Sequence, residues 1–215
     1  IRLQPGVIGA QANQYLAPYH RKIGPDPASI NTCKIGGIAA NNASGMCCGV
    51  ANNTFYTLAG MTIILADGTC VDTSDIDSVK AFKASHHTLL AELELLGRTV
   101  QGDAELSALI AHKYRLKNTT GYAINALTDY TDPLDILVHL MVGSEGTLGF
   151  IADITYNTVI DHQHRSTGLY LFDTPQIACQ LVDKLRQTTV EAVELLDQRA
   201  LDSVKGKPGL PDTFC

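Results

Sequence analysis

Residues 24–54 constrain this chain more than any other stretch. They include Gly24-Pro25-Asp26-Pro27, Thr32, Ile35-Gly36-Gly37 and Asn41-Asn42-Ala43-Ser44-Gly45. Gly, Asn, Pro, Ser and Cys dominate, leaving room for about one turn of helix near residues 38–41. A loop of this length inside a compact domain is usually functional. Gly36 and Gly37 lack a Cβ, so a ligand can come close to the main chain. Successive N–H groups near a helix start can surround an anion such as a pyrophosphate. Thr32, Asn41, Asn42 and Ser44 add short neutral polar groups, and Lys34 is the only cation between residues 23 and 79. The same composition suits a turn that merely reverses the chain, and the residues alone leave cradle and turn evenly matched.

Two later segments repeat the theme. Val142-Gly143-Ser144-Glu145-Gly146-Thr147-Leu148-Gly149-Phe150-Ile151 places three glycines in seven residues just before a strand. Glu145 can accept bonds from hydroxyls or amides. Taken alone, a helix C-cap, a turn and an exposed Glu is the commoner reading of such a run. Lys117-Asn118-Thr119-Thr120-Gly121-Tyr122 offers a cation, an amide and hydroxyls in a loop after a helix, suited to an anionic substrate or a flavin edge. A solvated helix end with Lys near the negative dipole pole fits it as well.

Composition removes several classes. With 215 residues, 45% hydrophobic and 18% charged, the chain can bury a core. A net charge of −6 without a basic stripe argues against nucleic acid and anionic membranes as partners. Cys33, Cys47, Cys48, Cys70, Cys179 and Cys215 show no zinc or iron–sulfur spacing and read as small buried side chains in a reducing compartment. No metal site is expected. His86-His87 and the His162/His164 pair read as surface histidines. Glycosylation-like triplets at Asn42, Asn52 and Asn118 read as chance matches. There is no G-x-G-x-x-G, Walker A, H-E-x-x-H or G-x-S-x-G. No apolar run of transmembrane length occurs, and the expected location is cytoplasmic or peripheral at the inner face of a membrane.

Hydrophobic periodicity predicts strands over 1–7, 59–66, 69–72 and 149–159, the last apolar at Ile151, Ile154 and Tyr156. Helices are expected over 9–20, 76–98, 103–115 and 133–141, with Asp103 as an N-cap and Pro133 in a first turn. After a polar linker at 161–165, a strand–helix–strand–helix pattern follows over 167–172, 175–187, 190–196 and 198–204. That reads as the opening of a ferredoxin-like α/β unit. The absence of an initiator Met, a strand-like start and an unfinished 208–211 suggest that both termini were cut.

In order, "PDPASINTCKIGGIAANNASG", "ILADGT", "KNTTGY" and "VGSEGTLGF" resemble the FAD linked oxidase family, the vanillyl-alcohol-oxidase type with a PCMH-type FAD-binding domain. Within it, "LQPGV" and "AVELLDQRAL" are similar to D-lactate and other D-2-hydroxy-acid dehydrogenases. The resemblance implies an α+β fold: residues 1–161 as the second FAD subdomain, with the first upstream, and 162–215 as the start of a substrate or cap domain. It implies FAD as cofactor, and an iron–sulfur cluster in a C-terminal region beyond this segment. Pro25, Asp26 and Thr32 would approach the flavin. Ile35, Gly36, Gly37, Asn42, Ala43, Ser44 and Gly45 would line the pyrophosphate and ribityl region. Glu145, Gly146 and Ile151 would contact the adenosine or ribityl part, Ile151 through its main chain. Thr120 sits where relatives place a substrate-side hydroxyl, but Leu116, with Arg115 beside it, occupies the position where they often have a clamping Arg.

The implied reaction is oxidation of a D-2-hydroxy acid to the 2-oxo acid, by hydride transfer to the flavin while a base takes the hydroxyl proton. The catalytic residues would lie downstream of Cys215, so this segment alone is expected to be inactive and to hold FAD weakly or not at all. The substrate would be a small 2-hydroxy acid. The electron acceptor is unidentified, and a homo-oligomer is left open.

Overall fold

A computed structural model describes residues 1–208; of the 208–211 ending, only Pro208 is included, and Cys215 lies outside the described residues. The chain divides into two units, one over Ile1–Gln163 and one from His164 onward.

The first unit is built on an antiparallel sheet in the order β1-β5-β3-β4. Its strands are β1 (Arg2–Leu3), β3 (Leu58–Ile64), β4 (Cys70–Asp72) and β5 (Phe150–Tyr156). A separate pair joins β2 (Arg21–Ile23) to β6 (Thr158–Ile160). The expected strand over 1–7 shrinks to two residues, because the main chain turns at Gln4, where Val7 N–H donates to the Gln4 carbonyl. The Asp67-Gly68 turn joins β3 to β4 as expected, with Gly68 at φ +86°.

The odd spacing of Ile151, Ile154 and Tyr156 has a physical cause. Thr62 faces Asp153 while Ile63 faces Ile151, so β5 carries one extra residue at Ala152. This bulge turns positions three apart onto one face, and Ile151, Ile154 and Tyr156 are all buried. Ile23, Ile35, Phe55, Met61, Ile63 and Val71 complete the same core. The Tyr156 hydroxyl lies 3.1 Å from Thr54 Oγ1 in this interior, and burial pushes its phenol well above the usual range. On the sheet, the Arg2 guanidinium reaches Asp153 on β5, Thr62 on β3 and Asp72 on β4, at 2.7, 3.0 and 2.8 Å. It therefore ties the edge strand β1 across the whole sheet.

Several helices of this unit begin at side-chain caps. The helices are α1 (Gly9–Leu16), α2 (Ile35–Ala40), α3 (Thr54–Thr57), α4 (Ile76–Ser85), α5 (His87–Gly102), α6 (Ala104–Lys113), α7 (Ala126–Asp129) and α8 (Pro133–Met141). Asp103 accepts from Leu106 N–H and Asp132 from Leu134 N–H, each cap stabilising by about 1 kcal/mol. The helix expected over 76–98 breaks at His86. The His86 ring stacks on Phe82 at 4.5 Å, takes part in a bond with Ser85 Oγ at 2.8 Å, and meets Asp67 at 3.0 Å. His86 is thus a partly buried strut rather than a surface residue, and its contact helps hold the Asp67 carboxyl down to about 2, chiefly alongside the Thr69 N–H bond. A second small core of Val100, Ile110, Leu127 and Ile136 joins α5, α6, α7 and α8.

In the second unit, α9 (Pro175–Leu185) and α10 (Gln198–Val204) form, capped by Thr174 and Asp197. The expected strands over 167–172 and 190–196 do not, because no partner strand is hydrogen-bonded to them among the described residues. Leu169, Tyr170, Leu171 and Phe172 stay exposed. The cysteines also depart from expectation: Cys48 is buried, but Cys70 and Cys179 are exposed.

His139 on α8 is buried. Its ring stacks on Tyr130 at 3.9 Å, meets the edge of Phe55 at 4.9 Å, and donates from Nδ1 to the Asp135 carbonyl at 2.8 Å. Burial lowers its pKa below 6.5 and outweighs the pull of Asp135 and Asp129. The unfolded chain therefore takes up a proton, as pH falls through about 6.5, that the folded chain refuses. Stability should fall between about pH 7 and about pH 5, read as the thermal midpoint, and His139→Phe should flatten that slope.

Candidate cofactor site

Three loops converge beside the C-terminal end of α2. Gly143 N–H donates to the Ala39 carbonyl at 3.1 Å and Glu145 N–H to the Ala40 carbonyl at 2.9 Å. Asn41 Nδ2 donates to Glu145 Oε1 at 2.6 Å. Lys117 Nζ donates to the Ser44 carbonyl at 2.6 Å, bringing the 117–122 loop onto the 42–45 turn. The Tyr122 hydroxyl lies 2.8 Å from Thr147 Oγ1, and Thr147 Oγ1 donates to the Ser144 carbonyl. Thr147 spends its proton on that carbonyl, so Tyr122 is the donor to Thr147. A Cβ placed on Gly143 would meet the Gly121 carbonyl at 3.1 Å and Asn42 Cβ at 3.8 Å. Gly143 is therefore the point where all three loops meet.

The backbone here is held in costly conformations. Asn42 has φ +48° and Glu145 φ +53°, two of the three non-glycine residues with positive φ among the described residues. Gly143, Gly146 and Gly121 are also left-handed. A non-glycine residue held there costs about 1–3 kcal/mol and persists where surrounding contacts over-determine it, most often at ligand sites, whereas glycine adopts it freely.

Two polar atoms at this junction are buried without a hydrogen-bond partner: Asn42 Oδ1 and Ser144 Oγ. Leaving such a group unpaired costs about 1–3 kcal/mol. A third, Asn125 Oδ1, belongs to the residue that starts α7. A groove of about 790 Å³ opens elsewhere, beside β1, α1 and β2, among Leu3, Ala12, Tyr15 and Leu16; its lining holds none of these atoms.

The expected site residues separate into groups. Asn42, Ala43, Ser44 and Gly45 form the turn after α2, and Glu145 and Gly146 lie on the facing loop. Asp26 organises the next few residues: its carboxylate accepts from Cys47 N–H at 3.1 Å and Cys48 N–H at 3.0 Å. Pro25 beside it is buried. Burial also raises the Cys48 thiol above its ordinary value. Gly45 is needed for contact with Asp26, since a Cβ there would sit 1.8 Å from the Asp26 carbonyl oxygen.

The start of α2 is not an open cradle. Ile35 N–H donates to the Val7 carbonyl and Gly36 N–H to the Pro5 carbonyl. A Cβ on Gly36 would strike Pro5 at 2.8 Å, whereas one on Gly37 would meet nothing within 4 Å. Of the two glycines, only Gly37 leaves open space. Thr32 lies on an exposed turn, bonded to the Ser29 carbonyl, and Ile151 is inside the β3–β5 ladder. Thr120 is exposed, its N–H held by Asn118 Oδ1. The residues that knit the loops together, Asn41, Lys117, Tyr122 and Thr147, lie within the expected motifs but not among the residues expected to contact the cofactor. Their signal was weak because each acts across a long sequence separation. Asn42 is too buried to serve as a glycosylation acceptor.

Residues 1–74 match the FAD binding domain. That match covers about a third of the chain and supports a flavin cofactor. FAD is its cofactor. The chain is 25% identical to D-2-hydroxyglutarate dehydrogenase of Haemophilus influenzae over 209 residues, covering 95% of this chain and 20% of the relative. It is 25% identical to the mitochondrial D-lactate dehydrogenase [cytochrome] 1 of Saccharomyces cerevisiae, over 94% of this chain and 26% of that protein. A shorter stretch of 67 residues is 37% identical to glycolate oxidase subunit GlcD of Escherichia coli, covering 31% of this chain and 13% of that one. The chain thus spans a fifth to a quarter of the two longer-matched relatives. Among solved structures, an alkyldihydroxyacetonephosphate synthase is similar with a TM-score of 0.41 and 15% identity, over 76% of this chain and 20% of that one. No helix among the described residues is long and apolar enough to cross a membrane.

The site's own geometry fits an FAD domain. Buried Asn42 Oδ1 and Ser144 Oγ are polar atoms that a ligand rich in hydroxyls and ring nitrogens can satisfy. The glycines give a sharp test of the packing. Gly45→Ala should destabilise the fold by about 1–3 kcal/mol, because Asp26 cannot yield. Gly37→Ala, in open space within α2, should stabilise it by about 0.5–1 kcal/mol. Urea unfolding of the two variants checks both signs.

Proposed function

We propose that the protein containing this chain is an FAD-dependent dehydrogenase that oxidises a D-2-hydroxy acid, such as D-lactate or D-2-hydroxyglutarate, to the 2-oxo acid. The observation that carries the reading is the junction of the 42–45, 117–122 and 143–147 loops, with two buried polar atoms left for a ligand. The names of the long-matched relatives support the substrate class.

In this reading residues 1–161 are the second FAD subdomain, and the chain from 162 onward opens the substrate domain. Asn42 to Gly45 and Glu145-Gly146 line the cofactor, with Gly37 giving it room. Pro25 and Asp26 shape the adjoining loop, and Thr120 faces the substrate side. The chain orients its ligand through fixed main-chain turns, and the strained Asn42 and Glu145 are preorganised for it. When bound, FAD supplies the acceptor for the two electrons that leave the substrate. The groups that take the substrate's proton lie downstream of Cys215, and an iron–sulfur cluster, where one is present, lies outside this segment.

The full-length protein loaded with FAD should turn over D-2-hydroxyglutarate or D-lactate, and act much more slowly on L-lactate. The check is reduction of an artificial electron acceptor with each acid in turn. A flavin-loaded protein that acts on none of the D-acids overturns the substrate class; one that binds no FAD overturns the whole reading.

A further inference from the structure

We propose that Lys117 is a positioning residue that holds the 42–45 turn in the shape FAD binds; this rests on the reading above. The carbonyl of Ser44 points to an ammonium contributed from 73 residues away, at 2.6 Å. Ser44 is buried, and the residue before the turn's midpoint, Asn42, is in the left-handed region with its Oδ1 unpartnered. A turn in that state is fixed from outside, because its own bonds are few. They are Asn42 N–H to the Ala39 carbonyl, Ala43 N–H to the Ile38 carbonyl, Ser44 Oγ to the Asn42 carbonyl, and the bonds of Gly45 N–H and its carbonyl with Cys48 Sγ.

The carrier of Lys117 is itself anchored. Tyr122 donates to Thr147 on the loop that holds Ser144, and the Tyr114 hydroxyl bridges the start and end of the segment by donating to the Tyr122 carbonyl and accepting from Ile124 N–H. The 117–122 loop therefore clasps both walls of the site, Lys117 on one and Tyr122 on the other. An ammonium bonded to a neutral carbonyl is charge-assisted and stronger than a neutral pair. This gives the lysine a role that neither a ligand-facing cation nor a solvated helix end describes. Its amine is committed to the main chain of the cradle and is not left for an incoming acid.

The test uses the full-length protein, stripped of flavin and titrated with FAD, followed by flavin fluorescence and the visible absorption bands. Lys117→Met should weaken FAD binding about tenfold or more, the loss expected for one charge-assisted bond. It should leave the melting temperature of the flavin-free protein unchanged, and Lys117→Arg should restore binding. Tyr122→Phe removes a single hydroxyl at an exposed ring and should weaken binding by about threefold to tenfold. FAD affinity in Lys117→Met equal to that of the unmodified protein overturns the proposal. So does a loss that Arg fails to restore, or a loss matched by a lower melting temperature without flavin. Should the Met variant fail to fold, Tyr122→Phe alone decides, and unchanged affinity there is equally fatal. An unmodified protein that binds no FAD instead sinks the functional reading, so the two failures are told apart.

Discussion

The site depends on the pairing of β3 with β5. These strands lie far apart in sequence, and their ladder places the turn after α2 beside the loop that leads into β5. The bulge at Ala152 sets the phase of that ladder. With regular alternation, either Ile151 or Ile154 would leave the core, and the loop before the strand would enter at a different angle. Arg2 reinforces the same sheet from its edge, with one guanidinium serving three other strands. The loops are thus held by a small sheet whose Arg2 network serves structure.

Much of the frame was legible in the residues. Asp103 caps a helix where its side chain could reach an orphan N–H, and that signal is local. Pro133 opens a helix for an equally local reason. Non-local features were not legible. The stop at His86 requires Asp67, on the hairpin turn, to bond it, and no periodicity within 76–98 reveals that. The strands expected over 167–172 and 190–196 have the right residues, but a strand exists only with a neighbour.

The site shows the same division. Glycine-rich runs marked the loops that meet at this junction, because a missing Cβ is visible in sequence. What each glycine is for was not visible. Gly36 and Gly45 make room for Pro5 and Asp26, so they serve packing, while Gly37 stands in open space. Likewise Lys117 suited either a ligand-facing cation or a solvated helix end, and its partner proves to be a carbonyl on a distant turn. Residues that bind the loops to one another carry less sequence signal than residues that shape a loop from within.

The long reach of these contacts has a kinetic side. Loop-closure entropy must be spent before a distant pair such as Lys117 and Ser44, or Asn41 and Glu145, gives anything back. Chains dominated by such contacts fold slowly. The helices over 76–113 can form early from neighbouring residues, but the three loops meet only once β5, late in the unit, has joined β3. The junction is then a late product of folding rather than a nucleus for it, and a ribosome must release most of this unit before its three loops can meet.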